Sequence, residues 1–220
     1  MACIAPPSSA PVLDLQADAG LGLADNDPVS LWGDQSGSGN NATQGTGANQ
    51  PTFKATDGPG GNPCVLFDGT TDFLVLPDIT SQKYTIFSVL KPADSSLHTV
   101  VCGAAGSFQV RTSNALKQAA LKCNSLNIGE STTVLSTVNF QQMNVLWDGT
   151  SAIFRLAGAA DGMVSNPASL TNPINRVGIN GATLGEFFSG SICMIRICPN
   201  ALALDQIQAI EAEILARWGV

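Results

Sequence analysis

Apolar residues in this chain come in short runs, each cut by Gly, Pro, Asn or Asp, and only one stretch carries helical spacing. In Leu204–Trp218 the residues Ile207, Ile210, Ile214 and Trp218 recur at three- and four-residue steps, and Gly219 supplies a stop. Everything before it reads as strand and turn. Val12–Leu15, Cys64–Phe67, Phe73–Leu76 and the β-branched run Tyr84–Leu90, stopped by Pro92, are predicted strands. Weaker strands are predicted at Thr99–Cys102, Phe108–Arg111 and Ala119–Cys123, and further ones at Arg176–Ile179 and Ile192–Ile197. Gln142–Trp147 and Ser151–Leu156 flank Asp148-Gly149, which predicts a tight hairpin with both turn residues at positive φ. In Ile192–Ile197 strict alternation sets Ile192, Met194 and Arg196 on one face and Cys193, Ile195 and Ile197 on a core face. The Gly/Asn/Pro-rich stretch 33–62 shows no placeable element. Some ten strands and one closing helix predict an all-β, two-sheet antiparallel sandwich of jelly-roll type.

Composition agrees. Charged residues are 12% of the 220, about half the usual share, while Gly alone numbers 22. A helical bundle or coiled coil needs far more Glu, Lys, Arg and Leu on helical spacing. No internal repeat appears, so the chain divides into a Pro/Ser-rich arm, 1–11, and a single domain, 12–220. A domain of that length buries enough surface to need no metal or disulfide support.

Ten basic against 17 acidic residues leave a net charge of -7. The basic residues are scattered singly, which excludes a phosphate-tracking nucleic-acid binder. No apolar run approaches the ~18 residues of a membrane span. The first residues lack the basic and apolar regions of a secretory signal, so the chain is expected to be made in the cytoplasm. Six cysteines (Cys3, Cys64, Cys102, Cys123, Cys193, Cys198) show no C-x-x-C spacing. Three disulfides in any of 15 pairings are conceivable, and small buried thiols are the preferred reading.

Three segments carry a resemblance. Trp32 with the loop Asp34-Gln35-Ser36-Gly37-Ser38-Gly39-Asn40-Asn41-Ala42 and the tail Pro51-Thr52 is the first. Phe67-Asp68-Gly69-Thr70-Thr71-Asp72-Phe73-Leu74 is the second. Phe188-Ser189-Gly190-Ser191-Ile192 followed by Ala201-Leu202 and the closing helix is the third. In this order they resemble the laminin-G-like (LamG, concanavalin A-like) jelly-roll domains of bacterial and phage proteins, over about residues 12 to 219. The resemblance implies the fold, and with it a choice among lectins, adhesion modules, glycosidases and virion proteins. Two departures stand out. Ala203 replaces the Ser or Thr that leads the family's last helix, which loses half a capping box. Met194 stands where the penultimate strand commonly carries a glutamate.

The chemistry expected of such a domain is sparse. A glycosidase on this fold places carboxylates two apart on one strand. Glu occurs only at 130, 186, 211 and 213; the last two lie in the helix, and Glu130 and Glu186 stand alone. The single His, His98, is expected at a surface or rim, and no G-x-S-x-G elbow exists. The expectation is therefore a non-enzyme. No cofactor is required, but calcium is a candidate: Asp34, Asn40 and Asn41 cluster in one Gly-rich loop, and Asp68 and Asp72 flank another. The competing reading is that these residues make Asx-turns. For a sugar, Trp32 is the aromatic beside a polar loop, while Trp147 and Trp218 look like core. Adjacent Phe187 and Phe188 point to opposite faces of a strand, so one is expected to be exposed or covered by a partner.

The leading expectation is a structural or adhesive module of a larger assembly, of the phage virion surface type (capsid decoration or fibre). Its partner contacts would be the arm residues Met1, Cys3, Ile4, Pro6 and Pro7, with Phe187 and Phe188, in a homo-oligomer or against virion proteins. The alternative is a glycan-binding, lectin-like module. A glycoside hydrolase ranks last.

Overall fold

The computed structural model describes residues 10–105, 107–113, 118–122, 126–165 and 169–220, with the backbone alone for 118–122 and 126–128. The arm positions Met1, Cys3, Ile4, Pro6 and Pro7, and Cys123, lie outside the described residues. Sixteen strands are β1 (Leu13–Gln16), β2 (Leu31–Trp32), β3 (Ala42–Thr43), β4 (Thr52–Lys54), β5 (Cys64–Asp68), β6 (Leu74–Ile79), β7 (Tyr84–Pro92), β8 (Thr99–Gly103), β9 (Phe108–Thr112), β10 (Gln118–Lys122), β11 (Leu126–Glu130), β12 (Gln141–Trp147), β13 (Ser151–Leu156), β14 (Ala159–Ser165), β15 (Ile174–Val177) and β16 (Ser189–Cys198). The α-helix α1 (Leu204–Trp218) follows; these are the strands and α-helix among the described residues.

The strands form two antiparallel sheets. The first runs β14-β13-β12-β7-β16-β5-β4, with β1 also on β16, and the second runs β11-β10-β9-β8-β15-β6-β3-β2. The predicted two-sheet sandwich with a C-terminal helix is thus the observed fold. Phe108 of the second sheet fills the gap between them, with its ring centroid 5.7 Å from Tyr84 and 6.1 Å from Trp147 of the first. Tyr84 keeps its hydroxyl satisfied there by donating to Ile79 O at 2.9 Å and accepting from Ser81 N at 2.8 Å. Burial pushes its pKa up to about 12.

The first sheet is covered on both faces. Its inner face meets the second sheet, and its outer face carries α1, whose Ile207, Ile210, Ile214 and Trp218 are buried as their spacing predicts. Polar residues under the helix are paired. Arg196 donates to Asp14 at 2.8 Å and to both oxygens of Glu213 at 3.0 and 2.9 Å. Glu211 accepts from Arg155 Nε at 2.6 Å, from Arg155 Nη2 at 2.8 Å and from Asn144 Nδ2 at 2.7 Å. At the helix start Gln206 Oε1 accepts the Ala203 N–H at 3.0 Å, while the Ala203 methyl can return nothing. Gly219, at φ 73, closes the helix on Leu215 O at 2.8 Å.

Two expectations are corrected. Strict alternation in β16 fails because Cys193 is the extra residue of a bulge: Ile192 pairs with Leu90 but Met194 with Val89, so Ile192 and Met194 take opposite faces. Between Trp147 and Ser151 the connection has three residues, with only Gly149 at positive φ. Asp148 Oδ1 organises it by accepting from Thr150 N and Ser151 N, each at 2.7 Å. As expected, β7 ends at Pro92, its last residue, which stands opposite Gly190.

Candidate functional site

Three connections meet at one end of the sandwich: the β5–β6 turn, the β7–β8 loop and the loop before β16. They enclose a cleft of about 340 Å³ whose walls include Asp68, Asp94, Ser96, His98, Glu186 and Phe187. The turn can approach β16 because residue 69 is glycine. A Cβ there would lie 2.6 Å from Ser189 Cβ, and its φ of 76 is left-handed.

His98 is only 2% exposed, so the expected surface or rim histidine is in fact a wall of the cleft. Its Nδ1 lies 3.2 Å from both Ser189 N and Phe187 O, and its Nε2 lies 2.9 Å from Asp94 Oδ1. Asp94 also accepts from Ser96 N at 2.7 Å. The Ser96 hydrogen bonds, aided by His98, hold its carboxyl below the usual range.

Glu186 is held in the cleft by donors from distant parts of the chain. Arg111 Nη1 donates to Oε1 at 2.9 Å, and Gln109 Nε2 and Asn180 Nδ2 donate to Oε2 at 3.0 and 3.2 Å. Burial raises its pKa, but Asn180, Arg111 and Gln109 outweigh burial and hold it below normal. The backbone is strained at this point, with Leu184 and Glu186 both at φ 52. Non-glycine residues persist in that region only where the surroundings fix them, and such positions cluster at functional sites.

Trp32 is fully buried and has no ring face to offer a sugar. Asp34 accepts from Asp14 N, Ser36 N, Ser36 Oγ and Asn40 N at 2.7–2.9 Å. Asn41 Oδ1 accepts from Asp34 N and Asn40 Nδ2 donates to Val12 O, so this loop is closed by its own donors. Asp68 does the same for its turn, accepting from Thr70 N, Thr71 N and Asp72 N on Oδ1 and from two threonine hydroxyls on Oδ2. Burial raises its pKa, but the Thr70 hydroxyl and the turn amides win and lower it strongly. Among the described residues no group of three or more His, Cys, Asp or Glu is gathered to hold a metal ion. Phe188 is buried, edge-on to Phe67 and His98 at 5.9 and 5.7 Å, while Phe187 is half-buried on the cleft wall.

Asp72 behaves differently. It is 7% exposed, accepts from Asp68 N at 2.9 Å, and its pKa is pushed up to about 6 by burial and by the Asp68 charge. The folded chain therefore holds this proton more tightly than the unfolded one, and stability falls as pH rises from about 4 to 6. Asp72→Asn keeps the acceptor and removes the charge. It is expected to stabilise the protein by about 1–2 kcal/mol at pH 7 and to flatten that part of the pH profile. Urea titrations of both proteins at pH 4, 5, 6 and 7 check this; a variant less stable at pH 7 would contradict it.

Glu186, Arg111, Gln109 and Asp94 were not singled out from sequence. The Asp94-Ser95-Ser96 Asx-turn was a legible signal, but Glu186 gave none, since Gln109 and Arg111 come from β9 and Asn180 from the loop after β15.

A second hollow of about 330 Å³ runs between α1 and the β13–β14 turn, walled by Gln142, Ala157, Ala212 and Leu215. It lacks the convergent carboxylates of the first.

No family model matches the chain, and no curated protein matches it by sequence. Solved structures do match in shape. Domain 4 of AbnA, a GH43 extracellular arabinanase from Geobacillus stearothermophilus solved with arabinotriose, superimposes with a TM-score of 0.66 at 15% identity, over 91% of this chain and 98% of that one. A GH54 α-L-arabinofuranosidase gives 0.67 at 14% identity, over 96% of this chain and 60% of that one. The receptor binding domain of botulinum neurotoxin type G gives 0.64 at 10% identity, over 92% and 51%. The chain thus spans nearly all of the first and little more than half of the other two. At these identities the likeness is one of fold. This is a jelly-roll β-sandwich. Among the described residues no helix is long and apolar enough to cross a membrane.

Proposed function

We propose that this domain is a non-enzymatic glycan-binding module, lectin-like in action, with the cleft between Asp68, Asp94, His98, Glu186 and Phe187 as its site. The carrying observation is Glu186: a carboxylate fixed by three donors, on a strained backbone, beside a half-buried aromatic ring. Fixed carboxylates accept sugar hydroxyls, and an aromatic ring covers the apolar face of a pyranose or furanose. With Asp68 and Asp94 beside it, the cleft suits a neutral sugar better than an acidic one.

Hydrolysis fits less well. A general acid needs a raised pKa, and Asp68, Asp94 and Glu186 are all held low. Asp72 is raised, but its carboxyl is buried behind the turn and bonded to Asp68 N. The AbnA domain, solved with arabinotriose, and the receptor binding domain of the toxin agree with a binding role. A virion surface component of LamG type draws no support from these neighbours and ranks second.

The test is a glycan array with wild type and Phe187→Ala. Binding to neutral oligosaccharides is expected, with a loss of about tenfold in the variant for one stacking contact. Absence of any glycan signal would overturn the reading.

A further inference from the structure

Four described cysteines, Cys64, Cys102, Cys193 and Cys198, are fully buried. Two of them stand opposite each other. β16 pairs with β5 through Ser189↔Asp68 to Ile192↔Val65, and one further step of that antiparallel register sets Cys193 against Cys64. Directly opposed residues of antiparallel strands have Cα atoms about 4.5–5.5 Å apart, within the span a disulfide bridges. Cys193 is also the point where β16 changes partners. Before it the strand pairs with β5; after it the strand pairs with β1 from Met194↔Gln16, and Cys193 O accepts from Ala17 N at 2.8 Å. Cys193 is the bulged residue on the β7 side as well. The β5–β16 ladder ends one step before this pair, at Ile192↔Val65.

We infer that Cys64 and Cys193 form an oxidisable pair that closes to a disulfide between β5 and β16 when the chain meets a small-molecule disulfide. The Cys64 thiolate attacks one sulfur of oxidised glutathione and releases one glutathione thiolate. The Cys193 thiolate then attacks the Cys64 sulfur and releases the second. Two protein thiols lose two electrons and two protons, and one oxidised glutathione becomes two reduced ones. Hydrogen bonding to Cys193 lowers the pKa of Cys64, which suits it to the first step, while burial pushes Cys193 up. Both residues are fully buried, so exchange takes place while the chain is folding or locally open.

The full chain is refolded with mixed reduced and oxidised glutathione, quenched in acid, alkylated, and mapped without reduction. The expected result is one linked pair, Cys64 with Cys193, and a rise in Tm on the order of 10 °C over the reduced protein, because the closed loop is long. Cys193→Ala should refold without the rise. Cys64 or Cys193 found alkylated, capped by glutathione, or joined to another cysteine would overturn the inference. Folded protein held with oxidised glutathione and mapped in the same way gives a reading that does not depend on refolding.

Discussion

Replacing Arg155 by Ala is expected to destabilise the protein by about 3–5 kcal/mol, because it leaves the Glu211 carboxylate buried without its cation. For a chain of this length that is a fall in Tm on the order of 10 °C. The guanidinium is 9% exposed and the carboxylate 6%, so water cannot take over the lost contacts. Arg155 also donates to Gly158 O, which ties the β13–β14 turn to the same pair. Substituting Arg155, Glu211 and Asn144 together by Met, Leu and Leu should recover most of the loss, since no charge or amide is then stranded under the helix. Urea unfolding of wild type, the single variant and the triple variant measures both effects. A single variant within 1 kcal/mol of wild type, on the order expected of an exposed pair, would mean that this contact does not hold α1 on the sheet.

The ion pairs under α1 also show what the sequence could and could not say. The helix was legible because its four apolar residues repeat, and β7 because nearly every residue in it favours a strand. Arg196 was correctly set apart from Ile195 and Ile197 by alternation, yet alternation does not reveal that the other face is roofed by a helix. The bulge at Cys193 left no mark at all, since Cys-Met-Ile is as good a strand as any. In 33–62 the strands β3 and β4 are two and three residues long, too short for a period, and are held by pairing to neighbouring strands. The loop 34–41 was half legible: its Asp and Asn were weighed between metal ligands and turn makers, and hydrogen bonds to Asp14, Ser36 and Val12 use them as turn makers. Glu186 was least legible, because its donors lie 6, 75 and 77 residues away and its positive φ falls on a residue that does not advertise one.

That positive φ gives Glu186 an unusual mutational signature. Glu186→Ala removes the acceptor of Arg111, Gln109 and Asn180, and a cost of about 2–3 kcal/mol is expected. Glu186→Gly removes the same acceptor but relieves the left-handed strain of about 1–2 kcal/mol. The glycine variant should therefore be more stable than the alanine variant, although glycine is ordinarily the worse residue for an ordered backbone. Glu186→Gln separates charge from shape: it keeps one acceptor oxygen but turns an NH₂ toward donors that the other oxygen had served. If the cleft binds a sugar, the loss in affinity should run from about 10- to 100-fold, the worth of a hydrogen bond to a charged group. Because the folded pKa of Glu186 lies below its unfolded value, its contribution is complete at neutral pH and vanishes as pH falls through the lowered value. Wild-type stability should accordingly drop below about pH 4, and Glu186→Gln should lack that part of the drop. Thermal unfolding of the three variants between pH 3 and 7, with sugar titrations at pH 7, reads all of this. Alanine proving more stable than glycine at 186 would refute the strained backbone, and with it the reason to look for function at this loop.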